Sequence, residues 1–168
     1  MMVILGVDPG SQNTGYGLIL ASASQYTFVH AGCLRCSSRR DFNERLKLIY
    51  DQITDLMQEH DPEHVAFEDV FYGKNFKSAL KLGQARGAAV LAALNLDKQV
   101  FAYSAREVKQ AITGYGNASK EQVRAGVTRL LNLSHPPSPL DASDALAIAL
   151  CHAHRLGSVI TNANKECR

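Results

Sequence analysis

Three short stretches of this chain carry acids where an acid is costly or where two acids can act together. Val3-Ile4-Leu5-Gly6-Val7 has the length and composition of a buried strand, and it ends in Asp8 at the turn Asp8-Pro9-Gly10-Ser11. A carboxylate at the mouth of a core strand is expensive to desolvate unless a cation or a set of donors faces it. His64-Val65-Ala66-Phe67-Glu68-Asp69-Val70-Phe71 reads as a second buried strand, with Glu68 inside it. Pro139-Leu140-Asp141-Ala142-Ser143-Asp144 runs directly into Ala145-Leu146-Ala147-Ile148-Ala149-Leu150, so on a helix Asp141 and Asp144 share one face. Each acid has a plain alternative. Asp8 can start a hairpin by accepting from backbone amides, and Asp141/Asp144 has the form of a capped helix start. The combination is what favours chemistry.

Four carboxylates brought close together repel one another, and burial sharpens the repulsion. Divalent cations are the ordinary remedy, and magnesium prefers hard oxygen ligands: a few carboxylates, water and substrate phosphate. Two such ions about 4 Å apart can activate a water and stabilise the leaving oxygen of an in-line displacement at phosphorus. The expected chemistry is phosphodiester hydrolysis, with no histidine or cysteine nucleophile.

The elements that must position these acids follow from periodicity. Val3 to Val7, Thr14 to Leu20 and Tyr26 to Gly32 are strand candidates joined by short connections that suit an antiparallel meander. Phe42, Leu46, Ile49, Ile53 and Leu56 recur at helical spacing from about Asp41 to Glu59, and Asp61-Pro62 stops that helix before the Glu68 strand. A helix over Ser78 to Leu94 carries Gly83 and Gly87 one turn apart. Glycine weakens a helix, so this pair points to close backbone approach by a sheet, a helix or a second subunit, the core contact being the commoner case. Val100 to Tyr103 is a fifth strand. A short helix around Glu107 to Ile112 follows, and Ser119-Lys120-Glu121-Gln122 opens another to about Leu131 through a capping box. His135-Pro136-Pro137-Ser138-Pro139 precedes the last helix. The expected architecture is α/β: one mixed sheet, three antiparallel strands then two parallel, flanked by helices in a single domain over 1–156. Residues 157–168 are polar and aperiodic and are expected to form a disordered tail.

The 168 residues, 46% hydrophobic, suffice for one substantial core. No stretch is long and apolar enough to span a membrane, and the N-terminus has no signal-type segment, so a cytoplasmic protein is expected. A net charge of +2 is too small to establish a nucleic-acid partner, which local charge must decide. Cys33-Leu34-Arg35-Cys36 has the spacing of half a zinc site or of a redox pair, but Cys151 and Cys167 complete no four-ligand framework, so the thiols are expected to be free. His30, His60, His64 and His135 are scattered and have no assigned role.

Gly6-Val7-Asp8-Pro9-Gly10, Glu68 followed by Val70-Phe71 and Lys74-Asn75, Ser78-Ala79-Leu80-Lys81-Leu82-Gly83-Gln84-Ala85-Arg86-Gly87 and Asp141-Ala142-Ser143-Asp144-Ala145-Leu146-Ala147 resemble the RuvC Holliday junction resolvases. The resemblance runs in order from Ile4 to about His154. It implies an RNase H-like fold and a homodimer with two active sites. Such a dimer nicks strands of like polarity at a four-way DNA junction, in recombination and repair, using magnesium (two ions per subunit) or manganese. It also implies Asp8, Glu68, Asp141 and Asp144 as the metal-binding catalytic acids and Phe71 as an aromatic that stacks on unpaired bases. Lys109 and Lys120 would be backbone contacts, and the RuvA and RuvB branch-migration proteins would be partners. Lys74, Lys77, Lys81 and Arg86 either solubilise a helix face or add charge for phosphate; of these, Lys74 is grouped with the DNA-binding set. Phe71 can equally be a core residue, although Tyr72-Gly73 beside it favours an exposed aromatic suited to base stacking. Two other readings are an actin- or hexokinase-type nucleotide-binding fold, suggested by the Asp8 to Gly15 hairpin, and a junction-binding module that has lost catalysis. The first needs a second domain for which this chain is too short, and the presence of all four acids argues against the second.

Overall fold

The apolar runs at the start of the chain fold as an antiparallel meander of β1 (Met2–Asp8), β2 (Asn13–Ala21) and β3 (Tyr26–Arg35). The computed structural model describes residues 1–22, 25–69 and 76–166, with 158–166 as backbone only. After the meander come α1 (Phe42–His60), β4 (His64–Glu68), α2 (Phe76–Asn95), β5 (Gln99–Tyr103), α3 (Ala105–Thr113), α4 (Lys120–Leu130) and α5 (Leu140–Glu166). The five strands make one sheet in the order β3-β2-β1-β4-β5. β1 pairs antiparallel with β2 and parallel with β4, and β4 pairs parallel with β5. The expected sheet is therefore the observed one.

Strand alternation sorts the core into two layers. Leu5, Val7, Val65 and Phe67 point to the side covered by α1 and α2, where they meet Ile49, Ile53, Met57, Ala85 and Ala89. Ile4 and Ala66 point to the other side and meet α5, with α3 and α4 behind it. α5 lies unusually close to the sheet, and glycine in the strands is the reason. A Cβ on Gly6 would overlap the Ala145 carbonyl and stand 2.7 Å from Ala149 N, and one on Gly17 would stand 2.7 Å from Leu146 Cγ. The small residues Ala142, Ala145 and Ala149 on α5 are fully buried against that surface.

Two boundaries and one packing contact differ from expectation. β3 runs three residues past Gly32, to Arg35, because its pairing with β2 continues down to Asn13. α5 continues to Glu166, through Gly157 and nine residues of the expected tail, since a single glycine weakens a long helix by only about 1 kcal/mol and need not end it. The glycines at 83 and 87 have no close neighbour among the described residues: a Cβ at either would meet nothing within 4 Å. Among the described residues no strand or helix of this chain makes the close contact that was the commoner explanation.

Candidate active site

Asp8 is the last residue of β1 and Glu68 the last of β4, and these strands are parallel neighbours with Val7 opposite Phe67. Alternation gives Asp8 the face of Gly6, and Glu68 the face of Ala66. Both carboxylates therefore project toward α5, past the end of the apolar contacts that bury Ile4 and Ala66. α5 crosses β1 at Gly6, against Ala145, which puts the preceding residue, Asp144, over the strand ends. Asp8, Glu68 and Asp144 line one cavity of about 310 Å³ with Ala105, Lys109, Lys120 and Val123. The capping boxes of Ser104/Glu107 and Ser119/Gln122 start α3 and α4 beside this cavity, so their early residues Lys109 and Lys120 reach it.

Asp141 is the second residue of α5 and does not line the cavity. Its main chain rests on β2 at Gly15, the residue directly opposite Asp8 in the β1–β2 ladder. Its Oδ2 accepts from Cys33 Sγ at 3.6 Å. Cys33 pairs with Gly15 across β2 and β3, so both use the same face of the sheet. That neighbour was hidden from the sequence, in which β3 is expected to end one residue before Cys33 and the cysteine has only the spacing of half a zinc site or of a redox pair.

The acids act on one another through space. Burial pushes the Asp8 carboxyl from its ordinary 3.8 up to about 7, with Glu68, Asp144 and Asp141 adding in that order and Lys120 opposing. Burial also raises Glu68, helped by Asp144 and opposed by Lys120 and Lys109. Lys120 Nζ donates to Asp144 Oδ2 at 3.0 Å, and this bond holds its ammonium above the usual lysine range. The donors are all hard oxygens and the cluster is short of positive charge, which suits a divalent cation in type. As the side chains stand, no three His, Cys, Asp or Glu among the described residues are gathered tightly enough to enclose one.

The raised Asp8 value has a consequence for stability. Between about pH 4 and about pH 7 the folded protein binds a proton at Asp8 that the unfolded chain does not. This contribution is fully present below the unfolded value of 3.8 and is lost as pH rises through about 7. In EDTA, the drop in Tm from about pH 5.5 to about pH 8 should be smaller in Asp8→Asn than in wild type. Identical slopes from thermal melts of the two proteins would refute the assignment.

Other expected residues fall elsewhere. Phe71 and Lys74 lie outside the described residues. Arg86 is not a solvent charge: its Nε donates to the Glu68 carbonyl at 3.2 Å and its Nη2 to Asp69 Oδ1 at 3.0 Å. Cys33, Cys36 and Cys151 are free thiols. His64 Nδ1 and His152 Nε2 lie 2.7 Å apart, and His152 Nδ1 is 2.6 Å from the Tyr103 hydroxyl. Burial, with His64 beside it, pushes His152 down to about 4, so this is a neutral polar link inside the core.

The model of the crossover junction endodeoxyribonuclease RuvC family matches residues 4–152. The crossover junction endodeoxyribonuclease RuvC of Acinetobacter baumannii is 51% identical over 159 residues, covering 95% of this chain and 87% of that protein. The Thermus thermophilus RuvC structure superposes with a TM-score of 0.85 at 35% identity, covering 93% of this chain and 97% of the other. The same protein in complex with a Holliday junction substrate also gives 0.85, at 32% identity over 92% of this chain and 95% of the other. The fold, the order of its strands and the length of the match agree: the chain belongs to the RuvC family of crossover junction endodeoxyribonucleases.

Proposed function

We propose that this protein resolves four-way DNA junctions by paired nicks in strands of like polarity, hydrolysing phosphodiester bonds with divalent metal. The observation that carries the reading is the convergence of Asp8, Glu68 and Asp144, from three separate elements, on a cavity that also receives Lys109 and Lys120. Asp8, Glu68, Asp141 and Asp144 are the acids that would hold magnesium, two ions per subunit, with manganese as a substitute. When bound, these ions would supply an activated water and stabilise the leaving oxygen. The chain itself contributes orientation: acids fixed at strand ends and at a helix start, with lysines facing phosphate. Lys109 and Lys120 are assigned to DNA backbone near the scissile bond, where each neutralised phosphate adds to affinity. Phe71 and Lys74 are assigned to DNA contact from the family pattern.

The protein acts as a homodimer in this reading. Support comes from α2, whose outer face exposes Phe76, Leu80, Leu91 and Leu94 with Gly83 and Gly87 between them. That spacing follows one helical stripe, and the two bare glycines would let a second copy of the helix approach closely. RuvA and RuvB are the partners that family membership suggests. The cytoplasm, where chromosomal junctions form, is the assigned compartment. Among the described residues no helix is long and apolar enough to cross a membrane.

The test is cleavage of synthetic junctions labelled in turn on each strand. The expected result is two symmetric nicks with magnesium or manganese, none in EDTA, and little cutting of linear duplex. Junction binding with no cleavage under any divalent ion would favour a module that has lost catalysis.

A further inference from the structure

β4 ends at the acid site, and one side chain grips that end. Arg86 Nε donates to the main-chain oxygen of Glu68 at 3.2 Å, and Nη2 donates to Asp69 Oδ1 at 3.0 Å. The guanidinium lies 5.9 Å from the centroid of the Phe67 ring. Three consecutive residues, 67 to 69, are thus held by one planar group reaching across from α2. On the other edge of the strand end, Asp69 N donates to the Tyr103 carbonyl at 2.8 Å. The main chain at Glu68 is therefore fixed on two sides, once by β5 and once by Arg86.

Glu68 needs such a hold. It is the last residue of its strand, its carboxylate shares a cavity with Asp8 and Asp144, and like charges push it outward. A rigid fork with several donors can satisfy a carbonyl and a carboxylate at once, which a lysine ammonium on a flexible stem cannot do in the same geometry. The sequence pattern suggested only a surface charge or a phosphate contact for Arg86. Its Nε and Nη2 are engaged by the protein instead.

We propose that Arg86 is a positioning residue for Glu68, holding the end of β4 so that the Glu68 carboxylate stays aimed into the acid cavity. The proposal rests on the reading of Glu68 as a metal-holding acid. Arg86 acts through the backbone and touches neither metal nor DNA. It also ties α2, whose opposite face carries the exposed apolar stripe, to one of the acids of its own subunit.

The experiment compares Arg86→Lys, Arg86→Gln, Asp69→Asn and Glu68→Gln with wild type by three measurements. These are junction affinity and its salt dependence in EDTA, nicking rate against Mn2+ concentration, and the rise in Tm as Mn2+ is titrated into the DNA-free protein. Both Arg86 variants should need about tenfold more Mn2+ for half-maximal nicking and for half of the Tm rise, with metal-free junction affinity within about twofold of wild type. Lysine should not rescue. Asp69→Asn keeps the bond to the Glu68 carbonyl and should keep a near-normal Mn2+ midpoint. Unchanged Mn2+ midpoints in both Arg86 variants would overturn the proposal. So would a loss of affinity with a salt slope lower by about one unit, which marks a phosphate contact. Asp69→Asn reproducing the whole defect would overturn it too, since the grip would then work through Asp69. If Arg86→Gln fails to fold, Arg86→Lys retains the charge and carries the same test. Glu68→Gln separates the two levels: full activity there refutes the role of Glu68, whereas an inactive Glu68→Gln beside a normal Arg86→Lys refutes only the role of Arg86.

Discussion

Replacing Asp8 by asparagine is expected to slow nicking of a four-way junction by on the order of a thousandfold, about 4 kcal/mol of barrier, while metal-free junction affinity stays level or tightens. Asp8 is the acid on which the charges of Glu68, Asp144 and Asp141 all act, so it sits at the electrical centre of the group. Asparagine keeps the shape and removes the charge, which takes away a hard anionic ligand without opening a hole. In the proposed reading DNA affinity rests instead on phosphate contacts from residues such as Lys109 and Lys120, and one anion fewer beside phosphate favours binding. The fold should not suffer. A buried carboxyl raised to about 7 is a burden to the metal-free protein at higher pH, so the variant should melt at or above the wild-type temperature near pH 8. Gel-shift affinity in EDTA, nicking under magnesium and a thermal melt decide the matter together. A variant that cuts at near the wild-type rate ends the assignment of Asp8.

That variant also bears on the rival readings. A nucleotide-binding kinase of the actin or hexokinase type needs a second domain, and residues 4–152 are instead spanned by the RuvC family match. A junction-binding module without catalysis predicts no difference between wild type and Asp8→Asn in any cleavage assay. The family reading predicts a loss on the order of a thousandfold.

The acids were legible in the sequence because each breaks a pattern. Asp8 closes an apolar run and Glu68 was read inside one, and a charge there is conspicuous whatever the tertiary structure, although β4 in fact ends at Glu68. Asp141 and Asp144 are readable through the three-residue spacing before an alanine-rich helix. The supporting shell was not legible, and the reasons are physical. Cys33 meets Asp141 across 108 residues of chain, and only the continued β2–β3 pairing carries it there. Arg86 lies on a helix with Lys77 and Lys81, so its charge matches that of a solvated face, and nothing local shows that it turns toward β4. Glycine was only partly legible. Gly83 and Gly87 drew notice because glycine is unfavourable in helices, and no described residue packs on them, while Gly6, Gly15 and Gly17 are the ones against which α5 packs. In a strand read from composition alone, a glycine is merely a weak β-former, and the helix that will cross it is still 130 residues away.

Gly15→Ala is the structural counterpart of the charge change at Asp8, and it should damage both fold and site. A Cβ at Gly15 would overlap the Asp141 carbonyl oxygen and stand 2.6 Å from its carbon and 3.1 Å from its Cβ. The obstacle is the backbone of α5's first turn, which cannot rotate aside as a side chain can. α5 must lift, and the same helix is fixed one and two turns later by Ala145 and Ala149 against Gly6, so the strain spreads along it. Overpacking of this kind costs about 3 kcal/mol, a fall in Tm of roughly 6–12 °C for a chain of this size. Lifting the first turn moves Asp141 away from Cys33 and carries Asp144 away from Asp8 and Glu68, and a displacement of about 1 Å can cost on the order of a hundredfold in rate. The defect should therefore differ in kind from that of Asp8→Asn. Both variants lose cleavage, but only Gly15→Ala loses stability, and high manganese should recover part of its rate because every ligand is still present. A Gly15→Ala protein that melts and cuts like wild type would show that α5 does not rest on β2 at this point, and the placement of Asp141 beside Asp8 would fall with it.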